Sequence, residues 1–92
     1  MIHSFAGSDT ETLFNSQLVV RFKNIERVAR RKLLQLDAAG ELKSLRIPPG
    51  NKLQRLKGDR QGQYSIRINE QWKVCFKWMP DGVHDVEIVD YH

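Results

Sequence analysis

One cysteine, Cys75, is all the thiol this chain has, so no intrachain disulfide is possible and a reducing compartment suits it. Long hydrophobic runs are missing too. None approaches the roughly 20 apolar residues a membrane helix needs, which excludes a helical membrane span. The opening Met1-Ile2-His3-Ser4-Phe5 lacks a charged segment and an apolar stretch, so no secretory signal is expected and the expected location is cytoplasmic. Internal repeats, low-complexity tracts and linkers are absent. The 92 residues therefore read as one domain, residues 1–92, near the low end of what supports a core without staples. Three histidines, His3, His84 and His92, match no metal-ligand spacing, so no metal and no cofactor is expected.

What is there is basic charge, unevenly placed. The net charge is +4, and all fifteen Lys and Arg lie between Arg21 and Lys77. From Lys43 to Lys77, nine cations face only Asp59 and Glu70, a local balance of +7, while Asp81 to Asp90 holds four carboxylates and no Lys or Arg. A basic middle suits a polyanion, because clustered cations are rewarded by phosphates and counterion release. A merely solvated charged surface explains the same composition.

Hydrophobic periodicity divides the chain in two. Ser8-Asp9-Thr10-Glu11 has capping-box spacing and opens a short helix carrying Leu13 and Phe14. Asn24 is placed to cap a second helix to about Ala38, with Ile25, Val28, Ala29, Leu33 and Leu36 as its apolar stripe. Lys32 interrupts that stripe and is expected to snorkel, while Leu34, opposite, is expected to pack on the first helix. Gly40 ends the helix, Glu41 to Leu45 allows one more turn, and Pro48-Pro49-Gly50 stops it. Beyond it the period becomes two. Lys52 to Leu56 reads as a short strand, followed by a glycine loop from Lys57 to Gly62. Tyr64, Ile66 and Ile68 then alternate with Ser65 and Arg67, and Trp72, Val74, Phe76 and Trp78 with Lys73, Cys75 and Lys77. After Pro80-Asp81-Gly82 a last strand runs from Val83 to Val89. The expected fold class is α+β, with N-terminal helices packed on one face of a small, mainly antiparallel sheet. The opposite face would carry Arg67, Lys73 and Lys77, rimmed by Lys57 and Arg60, as a groove for a phosphate backbone.

Three blocks carry a resemblance. They are Leu56-Lys57-Gly58-Asp59-Arg60-Gln61-Gly62-Gln63-Tyr64-Ser65-Ile66-Arg67, then Asn69-Glu70-Gln71-Trp72-Lys73-Val74-Cys75-Phe76, and the end Val86-Glu87-Ile88-Val89-Asp90-Tyr91-His92. With the opening residues and Pro48-Pro49-Gly50-Asn51, they resemble the HigB toxins of the RelE superfamily over essentially the whole chain. The resemblance implies a microbial-RNase-like fold and a type II toxin that cleaves mRNA in the ribosomal A site. It also implies a HigA-like helix-turn-helix antitoxin, with operator DNA reached only through that antitoxin.

Metal-free RNA cleavage uses the adjacent 2′-hydroxyl as nucleophile and needs a base, cations around the phosphate, and an acid for the leaving 5′-oxygen. His92 titrates in the useful range, Asp90 can act as base or orienting group, and Tyr91 can stack on a splayed base. In an extended strand Asp90 and His92 share a side and Tyr91 takes the other. Lys57, Lys73 and Arg67 are the expected phosphate stabilisers, with Arg60, Gln54, Gln71 and Lys77 as further RNA contacts. Three positions depart from the family pattern. Gln54 replaces a histidine that some HigB toxins carry, Gln71 an asparagine, and Lys73 an arginine, a point charge for a bidentate fork. Two alternatives stay open: a ParE-like gyrase inhibitor, or an RNA-binding module without chemistry.

Overall fold

The computed structural model describes residues 1–91. Helix α1 spans Ser8–Phe14 and helix α2 spans Glu26–Ala38, joined through a short 3-10 turn at Val20–Phe22. Two further 3-10 turns, Leu42–Arg46 and Pro49–Asn51, lead into a four-stranded sheet. Its strands are β1 (Gln54–Arg55), β2 (Tyr64–Arg67), β3 (Trp72–Met79) and β4 (Gly82–Asp90). They lie in the order β1-β2-β3-β4, every pair antiparallel, as consecutive hairpins require. The expected α+β architecture is what forms.

The core is the meeting of two periodicities. Ala29, Leu33 and Leu36 of α2, with Leu13 of α1 and Phe22, are buried against Ile66 of β2, Val74 and Phe76 of β3, and Val86 and Ile88 of β4. Each large side chain so buried contributes about 1.5–3 kcal/mol relative to leaving it in water. Phe22 meets Trp72 edge-on at 5.4 Å, which ties the interhelical turn to the start of β3.

Several local expectations are corrected. Ser8 does not cap α1: Gly7 holds the cap position, no side chain caps the helix, and Thr10 Oγ1 instead accepts the backbone N–H of Ile88 at 2.9 Å. Gly7 is extended there at φ −119°, and its Cα side meets the Glu87 side chain of β4. Asn24 is likewise no cap, since the turn at Val20–Phe22 occupies the lead-in and Ile25 takes the cap position. Leu34 does not reach α1 and stays 56% exposed. The strand expected over Lys52 to Leu56 shrinks to Gln54–Arg55, because Lys52 is left-handed at φ 46° and Asn51 is buried in the turn before it.

One feature of the sheet was not foreseen at all. Ile2 bridges Val83 and Phe5 bridges Val86, both in parallel, so the N-terminal segment lies along the outer edge of β4. Gly82 permits this, since a Cβ there would fall 2.6 Å from the ring of His3 and from the carbonyl oxygen of Met1.

Candidate functional site

Register decides which side chains share the face away from the core. Gln54, Ser65, Cys75 and Glu87 form one transverse row, and Arg67, Lys73 and Val89 the next. At the end of these rows opens a cavity of about 340 Å³, lined by Lys52, Gln54, Ser65, Arg67, Glu70, Lys73 and Tyr91. Arg67 and Lys73 are cross-strand partners, so their like charges sit side by side. That arrangement is unfavourable in isolation and is relieved by an anion between them.

The turn between β2 and β3 holds this cavity in shape. Asn69 Oδ1 accepts the N–H groups of Gln71 and Trp72, both at 2.8 Å, which fixes the turn. Its carbonyl oxygen then accepts Arg67 Nε at 3.0 Å and the Tyr91 hydroxyl at 2.8 Å. Lys73 Nζ stands 5.0 Å from the centroid of the Tyr91 ring. One backbone oxygen thus orients a guanidinium and a phenol on the same wall. Neither Asn69 nor the lining residues Lys52, Ser65 and Glu70 was singled out from the sequence. A three-residue turn between two face-assigned strands was the available signal for Asn69 and Glu70.

The other expected site residues fall in different places. Tyr91 follows Val89 onto the cavity face, while Asp90, paired with Trp72, lies on the other side of the strand. There it accepts Gln71 Nε2 at 2.9 Å, and the Tyr91 N–H donates to the Gln71 carbonyl at 2.9 Å. Gln71 therefore supports the C-terminal strand and does not line the cavity. His92 lies outside the described residues.

Arg60 reaches over the open face as expected, but its guanidinium is held by Glu87 at 3.0 Å and Gln63 at 3.2 Å. Beneath it Cys75 is fully buried, and that burial pushes its thiol above the ordinary range against the opposing pull of Arg60 and Lys73. Lys77 is turned aside. The register of β3 and β4 shifts between Cys75 and Lys77, Asp85 takes φ 54°, and its carboxylate pairs with Lys77 at 3.1 Å. Lys57, expected on the rim, lines a separate groove beside Arg55 and Tyr64. The single basic groove expected is thus divided: Arg67, Lys73, Gln54 and Tyr91 meet in one cavity, and Lys57, Arg60 and Lys77 stand apart. No group of three or more His, Cys, Asp or Glu among the described residues has metal-holding geometry.

This architecture is that of a RelE-type toxin. Over its whole length the chain superposes on the structure titled YoeB-YefM complex from Staphylococcus aureus, covering 98% of that chain with a TM-score of 0.58 at 18% identity. The sequence model of the RelE-like toxins of type II toxin–antitoxin system HigB matches residues 8–92, and the chain belongs to that family. It is 45% identical over 69 residues to Toxin HigB-1 of Vibrio cholerae, spanning 75% of this chain and 72% of the relative. It is also 31% identical, over the full length of both chains, to Endoribonuclease HigB of Proteus vulgaris.

Proposed function

We propose that this toxin is a ribosome-dependent mRNA endoribonuclease that acts without a metal and is neutralised by a HigA-like antitoxin. Membership of the HigB family and full-length similarity to an endoribonuclease make RNA cleavage its activity. The observation that carries the reading here is the convergence of Arg67, Lys73 and Tyr91 on one cavity at the end of β4. A bound RNA strand would place its scissile phosphate between the two cations, with a neighbouring base against Tyr91. The 2′-oxygen forms the new bond to phosphorus, its proton goes to a base, and the leaving 5′-oxygen takes a proton as its bond to phosphorus breaks. Lys73 and Arg67 stabilise the charge that builds on the phosphoryl oxygens.

His92, next to Tyr91 in the chain, is assigned a proton transfer, while Asp90, on the other side of the strand, acts through its bond to Gln71 as a positioning residue. Gln54 lines the cavity but, as an amide, is neither acid nor base, and its role is a hydrogen bond to the RNA. Glu70 is the carboxylate among the cavity-lining residues and is a further proton acceptor within reach of the substrate. The antitoxin partner is supported by the family and by the antitoxin-bound state of the structural relative. No helix among the described residues is long and apolar enough to cross a membrane, and action on ribosomes would make the expected location cytoplasmic.

Primer extension on an mRNA with translating ribosomes tests the reading. Cuts with the wild-type chain that need ribosomes, and that vanish with His92→Ala while antitoxin binding persists, support it. Asp90→Asn is expected to impair cleavage in the same way. Breaks in DNA with gyrase and no RNA cuts would instead establish the gyrase-inhibitor alternative. RNA binding with no cuts at any ribosome concentration would reduce the chain to a binding module.

A further inference from the structure

The pleat of β1 sends successive side chains to opposite faces, and this separates two basic surfaces. Gln54 turns to the cavity of Arg67 and Lys73, whereas Arg55, paired with Tyr64, turns to the helix side of the sheet. On that side lie two open grooves of about 570 and 630 Å³ that share Arg55 and Tyr64 as walls. Lys43 and Arg46 stand along the first, and Lys57 along the second. The Arg55 guanidinium lies 5.8 Å from the centroid of the Tyr64 ring, with Nη2 3.4 Å from its hydroxyl.

These cations are not spent on the protein's own carboxylates. Among the described residues Arg46, Arg55 and Lys57 make no ion pair, and Lys43 makes only an exposed one with Glu41 at 3.7 Å. The walls also include Glu41, which offsets Lys43, and Leu42, Leu53 and Leu56, so an apolar and aromatic floor runs beside Arg46, Arg55 and Lys57, which have no carboxylate partner among the described residues. Cations spaced along a groove with an aromatic face are the chemistry of a single-stranded nucleic-acid track, where phosphates meet Lys and Arg and bases stack.

We infer that this groove is a second RNA-binding track, on the face opposite the cleavage cavity, which grips a single strand by its backbone. Its identity as an RNA track rests on the RNA-cleaving reading above. The strand β1 has no partner strand on its outer side, so the track and the cavity are separated only by that two-residue edge. The track supplies affinity and leaves the chemical step to the cavity.

The test uses the full chain with Arg46→Ala and Arg55→Ala combined, both residues being exposed, and a 2′-O-methylated single-stranded RNA that cannot be cut. Binding by anisotropy across a salt series is expected to weaken. Losing two phosphate contacts on a single strand should flatten the slope of log K against log salt by about 1.4. On translating ribosomes the rate of cleavage at saturating toxin should stay within about twofold of wild type, the half-saturating concentration rising instead, as for a lost uniform binding contact. Loss on free RNA supports the track; loss confined to ribosomes overturns it, since structured ribosomal RNA would then be what the groove meets. Unchanged affinity and slope in both settings overturn the proposal, as does a variant that loses only antitoxin affinity. A fall in the saturating rate matching that of Lys73→Ala would also overturn it, since the groove would then belong to the cleavage site. Should the melting temperature drop, Lys43→Ala with Arg46→Ala replaces the first pair and leaves the sheet untouched. If the wild type cuts no RNA, the cleavage reading fails, while the binding comparison on the inert RNA still decides the track.

Discussion

Asn51 is fully buried, and replacing it with alanine is expected to be the most damaging polar truncation in the fold. Its Nδ2 donates to the carbonyls of Leu45 at 3.0 Å and Ile47 at 3.3 Å and to Oε1 of Gln35 at 3.1 Å, while Oδ1 accepts the Lys32 ammonium. One amide thus pins both 3-10 turns to α2. In Asn51→Ala the Ile47 oxygen keeps its bond from Gln35 Nε2 at 2.6 Å, so three groups lose their partner: the Leu45 oxygen, the Lys32 ammonium and Gln35 Oε1, the last of which sits near the surface and rehydrates. At about 1–3 kcal/mol for each buried polar group left unmatched, and less for the ammonium, which can rehydrate, the loss is about 2–4 kcal/mol. For a domain of this size that is a fall of roughly 10–30 °C in melting temperature. Thermal unfolding followed by circular dichroism reads it directly. Asn51→Asp sharpens the test: it pairs with Lys32 but aims a carboxylate at two carbonyl oxygens, so it should be destabilised at neutral pH and recover partly in acid, where the carboxyl regains a donor. A melting temperature for Asn51→Ala within about 2 °C of wild type would refute the reasoning, since the turns would then stand without the amide.

Lys73→Ala is expected to slow ribosome-dependent cleavage about 10²–10³-fold with little change in melting temperature, because the side chain leaves the core and meets the phosphate. Glu70→Gln should lower the cleavage rate at neutral pH if its carboxylate takes the 2′ proton, and an unchanged rate would leave that step to His92. Gly82→Ala should lower the melting temperature by loosening the N-terminal segment, since φ is 139° and the new methyl would meet His3 and Met1; a normal melt would show that the segment does not hold the edge. Cys75 should resist alkylation in the native state. Its raised pKa keeps the thiol protonated in the fold while the unfolded chain ionises above about 9, so the thiol's contribution is complete below that pH and lost as pH rises through the folded value. A Cys75→Ala comparison of alkaline melts isolates that loss.

The helix–sheet division and the face of each long strand were legible because they rest on local periodicity. Trp72, Val74 and Phe76 alternate with Lys73 and Cys75 whatever the partner strand does, and the paired Arg67 and Lys73 follow from it. Ends and edges were not legible in the same way. Ser8 and Asn24 have the chemistry of caps, but a strand amide and a 3-10 turn compete for those positions, and local sequence carries no trace of either. The rim of the cavity was misjudged at Lys77 because one residue at φ 54°, Asp85, shifts the register, and a bulge of that kind has no periodic signature. Lys57 was misjudged because β1 is two residues long, too short for alternation to say where the chain goes after it. Asp90 and Tyr91 exchange the sides a reader of the site would want: the tyrosine faces the cations, and the carboxylate braces Gln71.

The N-terminal segment on the edge of β4 bears on how the molecule comes into being. Ser4 and Asp85, hydrogen-bonded through Asp85 N to Ser4 Oγ at 2.9 Å, are 81 positions apart. A chain made from its N-terminus cannot place that segment until β4 exists, so residues 1–6 wait exposed while everything between them is synthesised. Contacts of such long span are also the last to repay the cost of closing their loop. Completion of the sheet is therefore a late event, and β4, the strand that leads into Asp90 and Tyr91, is fastened from outside only then. A toxin assembled in this order stays unfinished through most of its own translation, because the wall that Tyr91 gives the cavity is among the last parts to be set.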